Sequence, residues 1–310
     1  MVALTRKEII RTRPTAVALG NFDGVHLGHR RILAALRTEA DRLDLEPVAL
    51  TFDPHPREFL SPDKSTWLLT SAREKEEQIL ALGVEPLTLK FDADLAGLEA
   101  DVFVREILME ELQGRIFFMG PAHRFGRGAA GDSTLLRSLI GESNRVREIP
   151  PLLLEDEVVS SSAIRHRLKS GDVDGAARML GSPYAMRGLV VKGEGRGRKL
   201  GFPTANLLLE DGRKAFPAFG VYGGSAVLEN GRRIPALGNI GLRPTFSGEK
   251  TPNVEVHVLG IDEDLYGSEM TFELHRRIRP EKAFLSVEEL QNQIRQDVEE
   301  WGKMDRIEKK

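Results

Sequence analysis

From residue 14 to about 180, short apolar runs alternate with stretches of helical periodicity, and this alternation limits the possible folds more than any other feature. The runs at 16–19, 47–52, 86–90, 115–119 and 145–149 have the length of buried strands, and helical patterns at 29–43, 71–82 and 100–112 lie between them. Such alternation predicts an α/β domain, a parallel sheet covered by helices on both faces. Its ligands then bind beyond the carboxyl ends of the strands. Gly181-Ser182-Pro183 breaks the helical pattern, so the predicted domains are 1–182 and 183–310.

After Tyr184 the texture changes to short alternating segments at 186–191, 220–228, 232–239, 253–259 and 270–278. Turn signals separate them, Asn230-Gly231 being a strong hairpin one. This half reads as an antiparallel barrel or sandwich closed by a helix. Ser286 and Glu289 form its capping box, and Leu290, Ile294, Val298 and Trp301 make one apolar stripe.

Composition excludes several function classes. With 44 basic against 47 acidic residues, the net charge of −3 gives no general attraction to nucleic acid or an anionic membrane. The chain contains no cysteine, which rules out disulfides, thiolate catalysis and Cys-based zinc sites. No apolar run approaches a bilayer-spanning length, and charges at Arg6, Lys7 and Glu8 come too early for a secretory signal. The expected location is the cytoplasm.

Chemistry concentrates in the loops after the strands. Gly20-Asn21-Phe22-Asp23-Gly24-Val25-His26-Leu27-Gly28-His29 joins a strand to a helix. That layout aims backbone N–H groups and the positive end of a helix dipole at an anion. His26 and His29 are three apart and fall on one side of the first turn, where imidazoles can donate to a phosphate gaining charge. The plainer reading, two solvated histidines, loses ground because Gly20, Asp23, Gly24 and Gly28 accompany the pair. Thr51-Phe52-Asp53-Pro54-His55-Pro56 reads as a loop stiffened by prolines, and Gly120 to Asp132 as a glycine-rich loop carrying Arg124 and Arg127. Ser160, Ser161 and Ser162 before Arg165 either cap a helix or hold pyrophosphate at its N-terminus.

In the second half, Lys192 to Asn206 is not a P-loop, since no Gly-Lys-Ser/Thr closes it. Gly193, Gly195, Arg198 and Lys199 nevertheless suit a loop around nucleotide phosphates. Thr204 and Asn206 present oxygens on one side of an extended segment, a donor set for Mg²⁺ shared with phosphates and water. Glu255 and His257 share a strand face, and the carboxylate there is a candidate general base.

The opening loop resembles the HxGH signature of the nucleotidyltransferase superfamily, and the form GNFDGVHLGH is similar to bacterial bifunctional riboflavin kinases/FMN adenylyltransferases (FAD synthetases). TFDPHP, the loop ending Arg124-Phe125-Gly126, and SSSAIR follow in that family's order. The segment GEGRGRKLGFPTAN, with NIGLRPT, VEVH and DLYG, resembles its kinase half. The resemblance covers about Ala16 to Trp301. It implies a nucleotidyltransferase-like parallel sheet domain followed by a riboflavin kinase barrel with a C-terminal helix. It also implies ATP and Mg²⁺ as co-substrate and cofactor, riboflavin and FMN as small-molecule substrates, FAD as final product, and no nucleic-acid or membrane partner. By the same resemblance Glu255, His26 and His29 are catalytic. Gly20, Phe22, Asp23, Gly24, Gly28 and the Ser160–Arg165 segment bind nucleotide, and Asp53, His55, Phe125, Asn239 and Arg243 meet the flavin. One departure stands out: the family's loop reads Gly-x-Asn/Asp-Phe-Arg-Phe-Gly, whereas Ala122 and His123 occupy the two central positions here. Two alternatives are a chain with only one active domain and a flavin sensor without turnover.

Overall fold

The computed structural model describes residues 3–60, 67–193, 195–244, 250–261 and 263–308. The chain forms two compact units, Met1–Ser161 and Ser162–Lys310.

The first unit is built on five parallel strands, β1 (Thr15–Leu19), β2 (Glu46–Asp53), β3 (Glu85–Lys90), β4 (Gly114–Met119) and β5 (Arg145–Glu148), in the order β3-β2-β1-β4-β5. Helix α1 (Leu27–Leu43) joins β1 to β2; α2 (Pro56–Leu60) and α3 (Ala72–Leu80) lie between β2 and β3. The pleat sends alternate residues to opposite faces. Val17, Leu19, Phe117 and Met119 therefore enter one core, while Ala16, Ala18, Ile116 and Phe118 enter the other beneath α1. Strand order reverses direction at β1 and β4, so the loops following those two strands open onto one crevice.

Between β3 and β4 the expected α-helix over 100–112 is more irregular. Short turns α4 (Ala93–Ala96) and α5 (Ala100–Val102) lead into a π-helix at Phe103–Glu111. Leu112 N–H donates to the Ile107 carbonyl, five residues back. The wider turn gathers Phe103, Val104, Ile107, Leu108 and Leu112 onto one buried face. Helix α6 (Ser133–Leu139) and a hairpin of β6 (Leu153–Leu154) and β7 (Glu157–Val158) complete the unit.

The second unit begins with α7 (Ser161–Ser170) and α8 (Val173–Leu180). Helix α8 buries Val173, Ala176, Met179 and Leu180. It packs on β8 (Tyr184–Val191) and on the last strand of a closed six-stranded barrel, which is why the boundary between the units falls ahead of Gly181. After the short α9 (Arg196–Lys199) come β9 (Ala205–Leu209), β10 (Gly220–Leu228), β11 (Arg233–Pro244), β12 (Lys250–Val258) and β13 (Glu269–Pro280). The barrel runs β10-β11-β12-β9-β8-β13 and closes through the β13–β10 pairing. Helix α10 (Val287–Glu308) lays the fully buried Trp301 against Val221 and Leu237. Gly223 makes that seat, because a Cβ there would run into the indole.

Candidate active sites

In the first unit, the glycine-rich turn after β1 delivers His26 as the N-cap of α1, its Nδ1 accepting a hydrogen bond from the His29 N–H at 3.3 Å. The cap folds one imidazole over the other: ring centroids lie 3.6 Å apart at 17°. Gly28 leaves room, since a Cβ would stand 3.1 Å from the His26 ring. Phe22 is fully buried and meets His29 edge-on at 5.3 Å. Burial, reinforced by His26, Lys75 and His123, pushes the His29 imidazole well below the ordinary histidine range. Its Nδ1 is shut away with no hydrogen-bond partner. A neutral ring here can donate a proton-bearing nitrogen without carrying a charge of its own.

Several residues expected at the phosphate also hold the frame of this turn. The Asp23 carboxylate accepts the N–H groups of Leu69 at 2.8 Å and Thr70 at 3.2 Å. Gly24, at φ 83°, donates its N–H to Thr70 Oγ1 at 3.0 Å. Ser161 Oγ donates to the Asp23 carbonyl at 2.9 Å, tying the serine segment to the histidine turn. In the second loop the Asp53–Pro54 bond is cis, and His55 Nδ1 accepts the Arg57 N–H at 3.1 Å, capping α2. Phe125, expected at the flavin, packs within its own unit. Only 6% exposed, it stacks on Phe103 at 5.5 Å, and its backbone pairs with Gly131. Arg127 is ion-paired with Glu99.

The loop after β4 brings His123 to the same crevice. Burial and then Arg124 lower its imidazole to about 4, and it lies near enough to His29 to disfavour a proton on both rings. Lys75 escaped the sequence reading. Only 8% exposed on α3, it donates from Nζ to Thr51 Oγ1 at 3.0 Å, and its charge also reaches His29. The available signal was its position four residues before the buried Ile79, a cation on an apolar face.

In the barrel, residues distant in sequence meet through strand register. Glu255 pairs with Asn206 on β9 and Asn239 on β11. One Glu255 oxygen accepts from Asn253 Nδ2 at 3.0 Å, and the other lies 3.5 Å from Thr204 Oγ1. Glu255, Thr204, Asn239 and His257 line a cavity of about 390 Å³, within the range that takes a cofactor-sized ligand. Asn206 is 7% exposed, and its amide lies against the backbone of Gly193. A hydroxyl and an amide oxygen beside a carboxylate fit a magnesium ion that keeps phosphate and water ligands. Among the described residues no cluster of three or more His, Asp or Glu could hold a metal by itself. Gly195, at φ 69°, and the exposed Arg198 flank this site, while the side chains of Lys199 and Arg243 lie outside the described residues.

The far wall of the cavity was not foreseen. Arg279 of β13 grips Asp297 of α10 with Nε and Nη2 at 2.9–3.1 Å, and Asp297 is 2% exposed. Its place one residue before Val298 of the apolar stripe was the missed signal, an acid that must be paired to be buried.

Each unit thus carries its own cluster of polar and titratable side chains, His26 stacked on His29 in one and Glu255 beside Thr204 in the other, as a two-centred transferase does. The comparisons agree half by half. Residues 9–163 match the FAD synthetase family model and residues 180–304 the riboflavin kinase model. The bifunctional riboflavin kinase/FMN adenylyltransferase of Escherichia coli K12 is 36% identical over 283 residues, covering 91% of this chain and 90% of the relative. The protein of the same name from Bacillus subtilis is 35% identical over 295 residues, covering 92% and 91%. A crystal structure described as a macrolide-efflux protein from Streptococcus pneumoniae superposes with a TM-score of 0.87 at 30% identity, covering 96% of this chain and 98% of that one. The chain belongs to the bifunctional riboflavin kinase/FMN adenylyltransferase family. Among the described residues no helix is long and apolar enough to cross a membrane.

Proposed function

We propose that this chain makes FAD in two steps, with kinase chemistry in residues 183–310 and adenylyl transfer in 1–182. The observation that carries the reading is that the two family matches fall on consecutive halves, each containing its own reactive group, His26–His29 in one and Glu255–Thr204 in the other.

In the first step the riboflavin 5′-oxygen attacks the γ-phosphorus of ATP, the bond from that phosphorus to the β-bridging oxygen breaks, and ADP leaves. Glu255 takes the hydroxyl proton. Asn253 orients the carboxylate by fixing its other oxygen. Thr204 and Asn206 would hold Mg²⁺, which supplies charge neutralisation on the phosphates when bound. Gly193, Gly195, Arg198 and Lys199 wrap the nucleotide, and Asn239 and Arg243 contact the flavin.

In the second step an FMN phosphate oxygen attacks the α-phosphorus of a second ATP, and pyrophosphate departs. His26 and His29 stabilise the charge that develops, from an already dry and oriented pair. Gly20 and Gly28 admit the nucleotide, and Phe22, Asp23 and Gly24 brace the turn. Ser160, Ser161, Ser162 and Arg165 hold the leaving group, a role drawn from the sequence motif. Asp53 and His55 border the flavin side. The cytoplasm, where ATP is available, is the location this reading expects.

Incubation with riboflavin, ATP and Mg²⁺, resolved by chromatography, tests the whole reading. FAD is the expected product. FMN alone would leave only the kinase, and unchanged riboflavin would make the chain a flavin-binding protein without turnover.

A further inference from the structure

His257 has no part in the two steps above, yet it sits among the residues that perform the first. It lies on the same face of β12 as Glu255 and lines the same cavity. Its ring meets Phe202 edge-on at 5.7 Å and 87°, and its Nδ1 is 2.8 Å from the Pro203 carbonyl. A carbonyl only accepts, so Nδ1 carries the proton in this bond.

The position of that bond explains its use. The β12–β9 ladder pairs Val254 with Leu207, Glu255 with Asn206 and Val256 with Ala205, and there it stops. Continued by one step, His257 would face Thr204. Pro203 has no N–H and cannot extend a ladder, so its carbonyl needs another partner. The imidazole supplies it. The segment being held is short: its far side is a compact turn in which Phe202 N–H donates to the Gly197 carbonyl at 2.8 Å. Thr204 thus stands between an anchored proline and the end of the ladder.

We infer that His257 is a positioning residue of the kinase site, fixing the Phe202-Pro203-Thr204 segment so that the Thr204 hydroxyl stays beside Glu255. The proposal rests on the kinase reading for its catalytic consequence and on the Pro203 contact for its structural one, so the two are measured separately.

His257→Phe keeps a ring against Phe202 and removes the donor; His257→Asn keeps an N–H near the Nδ1 position. In the full chain, hydrogen–deuterium exchange at the Phe202, Thr204 and Ala205 amides should accelerate in His257→Phe and return towards wild type in His257→Asn. The kcat/KM for FMN formation should fall about tenfold in the Phe variant, the scale of one net hydrogen bond, through KM for Mg·ATP rather than for riboflavin. FAD formation from supplied FMN should not change. Unaltered exchange in His257→Phe, or exchange in His257→Asn equal to that in His257→Phe, overturns the positioning role whether or not the kinase assignment holds. If the wild-type protein makes no FMN while the two variants show the exchange pattern, only the kinase reading is overturned.

Discussion

The two centres are assembled by opposite means. In the parallel-sheet unit, His26 and His29 come from one turn of chain, three residues apart, and the cap that starts α1 stacks them. In the barrel, Thr204 and Glu255 are 51 residues apart in sequence and meet because β9 and β12 pair in one register. A centre of the first kind is as sound as its local turn, whereas one of the second kind is as sound as the sheet. Damage should therefore stay local in the first unit and spread from packing in the second.

The strongest break in this comparison is Glu255→Gln, which keeps shape and register but removes the base. FMN formation should fall by about 10²–10⁴-fold while FAD synthesis from supplied FMN continues. Near-wild-type kinase turnover would remove Glu255 from its role. His29→Ala is the mirror experiment. Loss of one preorganised donor should cost FAD formation about 10²–10³-fold and leave FMN formation unchanged. Equal losses in both assays would mean a folding defect instead. This histidine also carries a pH signature. Unfolded, it takes up a proton below about 6.5, whereas the folded ring resists protonation far lower. The unfolded state then binds more protons, so the first unit should lose stability as pH drops below 6.5, with His123 adding to the loss down to about 4. A double replacement of both histidines should flatten that acid limb in thermal melts.

Asp297→Ala sharpens the contrast from the packing side. It strands the Arg279 guanidinium in a buried place, a change that typically costs about 3–5 kcal/mol. Melting of the barrel should shift downward and riboflavin affinity should weaken, while adenylyl transfer at moderate temperature persists. The smallest effect is expected at the family departure. His123→Phe should raise the Michaelis constant of the second step by up to about tenfold, and Ala122→Asn should be neutral or mildly beneficial. Unchanged second-step kinetics in His123→Phe would make that histidine an ordinary loop residue.

Much of the architecture was legible because local patterns encode it. All five parallel strands lie within a residue or two of the expected segments; β1 to β4 read as apolar runs because their central residues are buried, whereas the edge strand β5 is largely exposed. The histidine pair was legible for the same reason, its geometry being contained in a single turn. The π-helix was not, because its wider turn mimics a slightly irregular α pattern over so few residues. Strand β9 was visible only as an extended segment, and nothing local announces that Asn206 faces Glu255. The packing of Phe125 was not legible for a different reason: nothing in a glycine-rich loop announces that Phe103 lies against its ring. Lys75 and Asp297 were hidden among ordinary surface-type residues of their helices, and the only sequence signal of their burial was their place on or beside an apolar face.

The wall of the kinase cavity formed by Leu290, Ile294 and Asp297 has a consequence for how the protein comes into being. Synthesis is vectorial and domains fold as they emerge, so the turn holding His26 and His29 can close long before α10 leaves the ribosome. Every strand of the barrel precedes α10, yet the cavity lined by Glu255 lacks a side until that helix docks its indole over Gly223. The centre completed first is thus the one that acts second. A nascent chain stalled before α10 would carry a finished adenylyl-transfer turn and no means of making the FMN it consumes.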